Sequence, residues 1–322
     1  MLFLTENDVR QVLTMEMAIE GVEAGLRKVA LDEAVNVPRT RCQTDHIMLH
    51  VLSAAAKSLG VAGHKAYTTG KAGARFWLTL YDGKTGAMVA LMQADYLGQM
   101  RTGAASAVAT RLLARPDAAT VGMIGTGLQA RTQLLGVCRV RPIQRARVFS
   151  RDSARRAEFA RRMTDELGVE VVAVESAEAA VRGADIVITA TTSRDPVLLG
   201  EWVSPGMHLN VIGSNFRTKA EIDIETVRRA QVVVIDSKEQ GKLEAGDLLA
   251  ALDADVIRWS DIPELGQVMI GRYPGRESPE DVTLFCSLGL GIEDVAVGAR
   301  VLAKARELGL GQAIELNPTP GS

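Results

Sequence analysis

Short apolar runs alternate with helical stretches between residues 118 and 237, and this alternation restricts the fold more than any other feature of the sequence. The runs are rich in Val and Ile, and they read "ATVGMIG", "ARVFS", "VEVVAV", "DIVITAT", "HLNVIG" and "QVVVID". Strands of a parallel sheet carry continuous apolar runs because helices cover both faces of the sheet. We therefore expect an α/β domain with a doubly wound parallel sheet, closed by "QVVVID".

The first 116 residues follow a different pattern. Thr5 and Asp8 have the spacing of a capping box, and a helical run follows. Apolar residues of that run share one face: Met15, Ala18, Val22, Leu26 and Val29. After Pro38 come short strand-like pieces, "IMLHVL" and "RFWLTLYD", the second of which leads into the turn "DGKTG". This part of the chain is predicted to be an α+β domain.

The stretch "GIEDVAVGARVLAKARELGLG" predicts one amphipathic helix that ends at a glycine. One side carries Ile292, Val295, Ala299 and Leu302. We expect this helix to return to the first domain. The predicted domains are residues 1–116 with 292–322, and residues 117–291, and the tail "NPTPGS" is expected to fray.

Composition excludes several classes of protein. The chain has 322 residues, with 37 basic against 39 acidic side chains, so it lacks the basic surface of a nucleic-acid-binding protein. No apolar run is long enough for a membrane span, and the start has no signal-peptide pattern, so we expect a cytoplasmic protein. The three cysteines are expected to be reduced thiols, and the four dispersed histidines predict no metal site.

Gly125, Gly127 and Ala130 form a GxGxxA pattern between a predicted strand and a predicted helix. The first glycine permits a tight turn, and the second lets the backbone approach a pyrophosphate. The helix N-terminus then offers N–H groups and a positive dipole end to the phosphates. This context predicts a dinucleotide-binding site.

The end of the second strand bears on which dinucleotide binds. NAD sites usually have an acidic residue there that holds the ribose hydroxyls. Here Ser150 occupies that position and Arg151 follows it, which suits a 2′-phosphate and favours NADP(H). Asp152 is one residue further on and keeps NAD(H) as the alternative.

Several separated strings together resemble the ornithine cyclodeaminase/mu-crystallin family, nearly end to end. They are "GHKAY", "MRTGAASAVATRLLARPDA", "IGTGLQARTQ", "GEWVSPGMHLNVIGSN", "DSKEQGKLEAGDLL" and "TLFCSLGLGIEDVAVGARV". The resemblance implies a Rossmann domain and a homodimer whose other lobe binds substrate and dimerises. It also implies a nicotinamide cofactor that acts at the α-carbon of an amino acid or its imine.

The resemblance assigns residues by motif. Lys65 of "GHKAY" matches an active-site lysine, and Arg101 of "MRTGA" matches an arginine at the junction of nicotinamide and substrate. Arg39 matches the arginine that binds the substrate carboxylate, with Arg41 as the alternative, and Leu288 matches a substrate contact. The remaining positions match cofactor contacts: Thr102, Leu128, Gln129, Thr191, Leu209, Asn210, Val211, Ile212, Lys219 and Ser287.

These residue types suit the implied chemistry. An arginine can hold a carboxylate by two parallel hydrogen bonds, which orients the α-carbon for hydride transfer. A desolvated lysine beside an arginine has a lowered pKa, so Lys65 could exchange a proton with the substrate nitrogen.

Two positions depart from the cyclodeaminase pattern. Asn215 stands in place of a catalytic aspartate, and an amide cannot exchange a proton near neutral pH. His50 replaces a glutamate that would receive the distal ammonium of ornithine; it either faces the substrate or is a strand residue satisfied by a neighbour. Both changes favour an NAD(P)H-dependent imine reductase or amino-acid dehydrogenase over an ornithine cyclodeaminase, which is the alternative. A third hypothesis is a binding protein that has lost catalysis, against which Lys65 and Arg101 weigh.

Overall fold

The structure is a computed structural model that describes residues 1–315, and it comprises two compact units. Unit 1 consists of Met1–Arg101 and the described chain from Leu290 onward, and unit 2 consists of Thr102–Gly289. The first division follows Arg101, inside the helix Asp95–Leu113. The tail "NPTPGS" lies outside the described residues.

The elements are numbered in chain order. The first part of the chain contains β1 (Leu2–Leu4), α1 (Glu6–Val12), α2 (Met15–Ala30), β2 (Ala34–Gln43), β3 (Ile47–Ala56), β4 (Val61–Gly70), β5 (Gly73–Asp82), β6 (Met88–Gln93) and α3 (Asp95–Leu113). The middle part contains β7 (Thr120–Ile124), α4 (Leu128–Val140), β8 (Arg145–Phe149), α5 (Ser153–Leu167), β9 (Glu170–Ala173), α6 (Ala177–Val181), β10 (Ile186–Thr189), β11 (His208–Val211), α7 (Ile224–Arg229), β12 (Val232–Ile235), α8 (Lys238–Glu244), α9 (Gly246–Asp253), α10 (Leu265–Met269) and β13 (Thr283–Cys286). The last described elements are α11 (Gly291–Glu307) and β14 (Gln312–Ala313).

The sheet of unit 1 has, within residues 1–315, seven strands in the order β14-β1-β6-β5-β4-β3-β2. The short pieces expected after Pro38 are in fact ten-residue strands, β3 and β5. Pro38 itself lies inside β2, at the sheet edge and beside a register shift between Val37 and Thr40. An edge strand tolerates proline because the missing N–H needs no partner there.

Helices cover one face of this sheet. The predicted capping box is confirmed, because the Asp8 N–H donates to the Thr5 hydroxyl and the Asp8 carboxylate accepts from the Thr5 N–H. Helix α11 packs on α2 and on strands β2–β5. It lies so close to the sheet that a side chain at Gly298 would collide with Leu78.

The sheet of unit 2 confirms the expected doubly wound α/β fold. Its strands are parallel, and the described part of the chain gives the order β12-β13-β11-β10-β7-β8-β9. The expectation that "QVVVID" closes the series was wrong, because β13 inserts between β11 and β12. This strand has only four residues and follows a long stretch of short helices, so its pattern was not read as part of the series.

Three further features concern the predictions about membrane spans, metal sites and cysteines. Among residues 1–315, no helix is both long enough and apolar enough to cross a membrane. The same residues contain no group of three or more His, Cys, Asp or Glu side chains arranged to hold a metal ion. Cys42, Cys138 and Cys286 are free thiols.

Candidate active site

Three of the predicted cations have buried side chains in unit 1. Arg39 on β2, Lys65 on β4 and Arg101 on α3 are at most 7% exposed. The Lys65 ammonium lies 2.8 Å from Oδ1 of Asp294, near the start of α11. Buried charges persist in proteins when they are paired, and this pair joins the sheet to the helix that covers it.

Arg101 shares the same carboxylate. Its Nε lies 3.0 Å from Oδ1 of Asp294, and its Nη1 donates to Oε2 of Glu293 at 2.7 Å. Both acids are fully buried. Neither acid was expected at the site, although two adjacent acids inside the apolar run "GIEDVAVG" indicate buried ion pairs.

These contacts set the protonation of the two cations. Burial and the neighbouring Arg101 lower the pKa of Lys65 to about 8, even though Asp294 acts in the opposite direction. Burial also disfavours the charged form of Arg101, but Asp294 and Glu293 outweigh it and raise the pKa of that guanidinium. Lys65 can therefore gain and lose a proton near neutral pH, whereas Arg101 remains a fixed cation.

The helix that carries Arg101 is anchored by a side chain from α1. The Glu6 carboxylate accepts from the N–H groups of Asp95, at 2.6 Å, and Tyr96, at 3.1 Å. A carboxylate at a helix N-terminus satisfies free N–H groups and complements the helix dipole. The start of α3 is thereby held at one point, with Arg101 less than two turns further along.

His50 belongs to a row of side chains that crosses four strands. The pairing register aligns Arg41 with His50, His50 with Tyr67, and Tyr67 with Phe76. The imidazole stacks on Tyr67 with a centroid separation of 4.2 Å, and Tyr67 stacks on Phe76 at 5.0 Å.

Both ring nitrogens of His50 have protein partners. Nδ1 accepts from Arg41 Nε at 3.2 Å, and Nε2 lies 3.1 Å from the Thr69 hydroxyl. Burial, Arg41 and Arg39 lower the pKa of His50 to about 4, so the ring is neutral at physiological pH. Neighbouring side chains on β2 and β4 therefore satisfy both ring nitrogens of His50.

The glycine-rich turn in unit 2 has the geometry of a phosphate site. Gly125 has φ of 112°, and a side chain there would collide with the Ala190 carbonyl. Gly127 precedes α4, and a Cβ atom at Gly127 would meet nothing within 4 Å. The turn therefore fits a bound pyrophosphate beside the helix N-terminus.

The side chains after β8 are arranged around Ser150. Its hydroxyl accepts from Thr126 at 2.9 Å, and its carbonyl accepts from Arg156. Arg151 is exposed. The Asp152 carboxylate caps α5 by accepting the Arg155 N–H at 3.0 Å, so it has a structural task of its own.

The other expected cofactor contacts also lie in unit 2, with different exposure. The side chains of Leu209, Asn210 and Val211 are buried in β11, and Asn210 donates to Thr110. Four other expected contacts have side chains that are partly buried or exposed: Leu128, Thr191, Ile212 and Lys219. Thr102 and Ser287 are buried; the Thr102 carbonyl accepts from Gln133, and the Ser287 hydroxyl donates to Asp236.

Two further expected site residues, Leu288 and Asn215, are in unit 2. Leu288 is buried, and its N–H donates to Asp236 at 2.6 Å. Asn215 is in the loop 213–219, in which the Ser214 hydroxyl donates to the carbonyls of Phe216 and Lys219.

Comparison with known proteins decides the family. The sequence profile of the "Ornithine cyclodeaminase/mu-crystallin family" matches residues 1–308, which is most of the chain. The chain belongs to this family. The resemblance inferred from the separated motifs is thereby confirmed, together with the fold class.

Relatives in the ornithine cyclodeaminase/mu-crystallin family include oxidoreductases of imino and amino acids, and also a lysine cyclodeaminase. The Delta(1)-pyrroline-2-carboxylate reductase of Thermococcus litoralis, solved with NADH and L-proline, is 36% identical over 98% of this chain and 100% of its own, with a TM-score of 0.93. An archaeal alanine dehydrogenase, solved as a dimer with bound NAD, is 32% identical over 98% of each chain, with a TM-score of 0.92. The Delta(1)-pyrroline-2-carboxylate reductase of Bacillus cereus is 32% identical over 98% of this chain and 100% of its own.

Proposed function

We propose that this protein uses NAD(P)H to reduce an α-imino acid, such as a ketimine or cyclic imine, to the amino acid, or catalyses the reverse dehydrogenation. The observation that carries the proposal is the buried group formed by Lys65, Arg101 and Asp294. It combines a fixed cation for a carboxylate with a lysine that titrates near neutral pH. The family relatives act on substrates of this class.

In this mechanism Arg39 and Arg101 hold the substrate carboxylate, and Arg41 keeps its contact with His50. Lys65 supplies a proton toward the substrate nitrogen, or receives it in the reverse reaction. Asp294 holds the lysine at its Oδ1 and balances its charge. The nicotinamide, when bound, supplies the hydride that the protein cannot provide.

Neutral His50 supports a substrate without a distal ammonium group. A cyclodeaminase acting on ornithine must hold a second amine, and a cation near Arg41 would be repelled rather than bound. Asn215 likewise offers no proton-exchanging group. Ornithine cyclodeaminase activity, with bound NAD returned unchanged, remains the alternative because it shares the lysine and the arginines.

We favour NADP(H) as the cofactor, with NAD(H) as the alternative. The hydroxyl of Ser150 and the exposed guanidinium of Arg151 suit a 2′-phosphate, and Asp152 is engaged in capping α5. The relatives solved with a cofactor contain NAD or NADH, which keeps the alternative in place.

The protein is proposed to be a homodimer that assembles through unit 1. Val35 is 61% exposed and Val37 is 44% exposed on β2. Together with Ala55, Ala62 and Tyr81 they line a groove of about 310 Å³ on the outward face of the sheet. A second copy would cover this apolar face, and a related alanine dehydrogenase is a dimer.

The deciding experiment follows the absorbance of NADPH or NADH at 340 nm with a panel of imines. The panel contains pyrroline-2-carboxylate, piperideine-2-carboxylate, and pyruvate with ammonia or methylamine. We expect cofactor oxidation with at least one imine. Ammonia and proline formed from L-ornithine, without net change in cofactor and without imine reduction, would establish the cyclodeaminase instead.

A further inference from the structure

Glu221 is a fully buried carboxylate in unit 2 that no step of the proposed reaction uses. Its Oε1 accepts from the Thr191 N–H at 2.6 Å. Its Oε2 accepts from the Gly213 N–H and from the Thr189 hydroxyl, both at 2.7 Å. Three short donors hold this carboxylate in one orientation, but they do not offset burial, which raises its pKa.

The three donors belong to the carboxyl ends of two adjacent strands. Thr189 and Thr191 lie at the end of β10, and Gly213 follows β11. Dinucleotides bind at the carboxyl ends of such strands, where the strand order reverses. In this sheet the order reverses between β7 and β10, with the glycine turn and β8 on one side and β10 and β11 on the other. The glycine-turn side takes the adenosine half, so β10 and β11 face the nicotinamide half.

A second contact fixes the loop 213–219 from the opposite direction. The Glu221 N–H donates to Oδ1 of Asp247 at 2.5 Å. A side chain at Gly246, at the start of α9, would collide with the Lys219 carbonyl. The loop that carries Asn215 is thus held between Glu221 and α9.

We propose that Glu221 is a positioning residue that sets the strand ends of β10 and β11 for the nicotinamide half of the dinucleotide. The inference rests on the proposed nicotinamide-dependent function. It requires that loss of the carboxylate weaken binding of the nicotinamide half selectively. A purely structural carboxylate would affect both halves of the dinucleotide equally, or neither.

Glu221→Gln provides the test. Glutamine has one acceptor oxygen, so its NH₂ group must face either Thr191 N–H or the Gly213 and Thr189 donors. Isothermal titration with NADPH and 2′-phospho-ADP-ribose, or NADH and ADP-ribose if wild type prefers them, measures both affinities. We expect about tenfold weaker binding of the whole dinucleotide and less than about twofold change for the fragment without nicotinamide.

Glu225→Gln is the matched control, because Glu225 is a partly exposed residue of α7 that pairs with Arg228 and Arg229. If Glu221→Gln does not fold, Thr189→Val removes one donor to the same carboxylate and should shift the affinity ratio in the same direction. Equal effects on both ligands, or no effect, would overturn the positioning role while leaving the oxidoreductase proposal intact. Wild-type protein that binds neither ligand would refute the dinucleotide site and this inference with it.

Discussion

The Lys65 ammonium lies 2.8 Å from Oδ1 of Asp294, and neither side chain is more than 3% exposed. The same oxygen lies 3.0 Å from Nε of Arg101. One carboxylate oxygen therefore balances two cations. The pKa of Lys65 depends on Asp294, which raises it, and on Arg101, which lowers it. A substitution of Asp294 should therefore change the pKa of Lys65, and this change can be measured.

Asp294→Asn should move the pH profile of kcat/KM to lower pH. Burial and Arg101 already hold the pKa of Lys65 at about 8, and Asp294 is the group that raises it. Removing that charge lowers the lysine pKa further, while the amide oxygen can still accept from both cations. The imine-reduction profile should lose activity above about pH 8 in wild type and at lower pH in the variant. Asp253→Asn, at an exposed position, is the control. If the alkaline side of the kcat/KM profile does not move in Asp294→Asn, Lys65 is not the group that transfers the proton.

Ser150→Asp should shift cofactor preference toward NADH. A carboxylate after β8 accepts the ribose hydroxyls of NAD and repels the 2′-phosphate of NADP. Asp152, two residues further on, caps α5. The ratio of kcat/KM for NADPH over NADH should fall by about tenfold or more, the equivalent of one lost charged hydrogen bond. Ser204→Asp, at an exposed serine of unit 2, should leave the ratio unchanged, and an unchanged ratio in both variants would remove Ser150 from the ribose site.

Asp247→Asn should stabilise the protein at high pH. Burial and Glu221 raise the pKa of Asp247 to about 7, above the ordinary value of about 3.9 in an unfolded chain. Between these pH values the folded state keeps a proton that the unfolded state has lost, so stability falls as pH rises toward 7. The Asn oxygen can still accept the Glu221 N–H.

The melting temperatures of Asp247→Asn and wild type, compared at about pH 5 and pH 8, measure this effect. The advantage of the variant should grow by about 2–4 °C or more across that interval. An advantage that shrinks with rising pH would contradict a raised carboxyl pKa. Asp253→Asn again serves as the exposed control.

Val37→Asp should convert the proposed homodimer into monomers. A charge on the outward face of β2 would have to be desolvated at the interface, which costs several kcal/mol if it is unpaired. Light scattering after size-exclusion chromatography measures the mass directly. Leu243→Asp, at a 55% exposed position of unit 2, should leave the mass unchanged. A Val37→Asp variant that stays dimeric would assign the interface to another surface.

Much of unit 2 could be predicted because its signals are local. The GxGxxA pattern, the caps and the Val/Ile runs each depend on neighbouring residues, and they led to six of the seven strands in the described sheet of unit 2. Strand β13 was missed because its position depends on pairing with β11 and β12, which are distant in sequence. Non-local pairing leaves no periodic signature in four residues.

The cations of the candidate site could be predicted by motif, but their counter-charges could not. Glu293 and Asp294 follow Lys65 by more than two hundred residues, and Asp294 reaches it only because α11 packs on the sheet of unit 1. The predicted amphipathic helix explains the apolar face of α11, but it does not explain why Glu293 and Asp294 are buried. Glu221 was missed for a similar reason, because its partners lie on other strands.

The position of α11 in the chain has a consequence for biosynthesis. A ribosome emits the polypeptide from its N-terminus, so β4 and α3 leave the exit tunnel well before Gly291–Glu307 exists. Until then Lys65 and Arg101 lack the carboxylates that neutralise them, and burying either cation is unfavourable. Unit 2 holds all of its own strands and can mature during translation, whereas unit 1 must wait until the last described helix has been made.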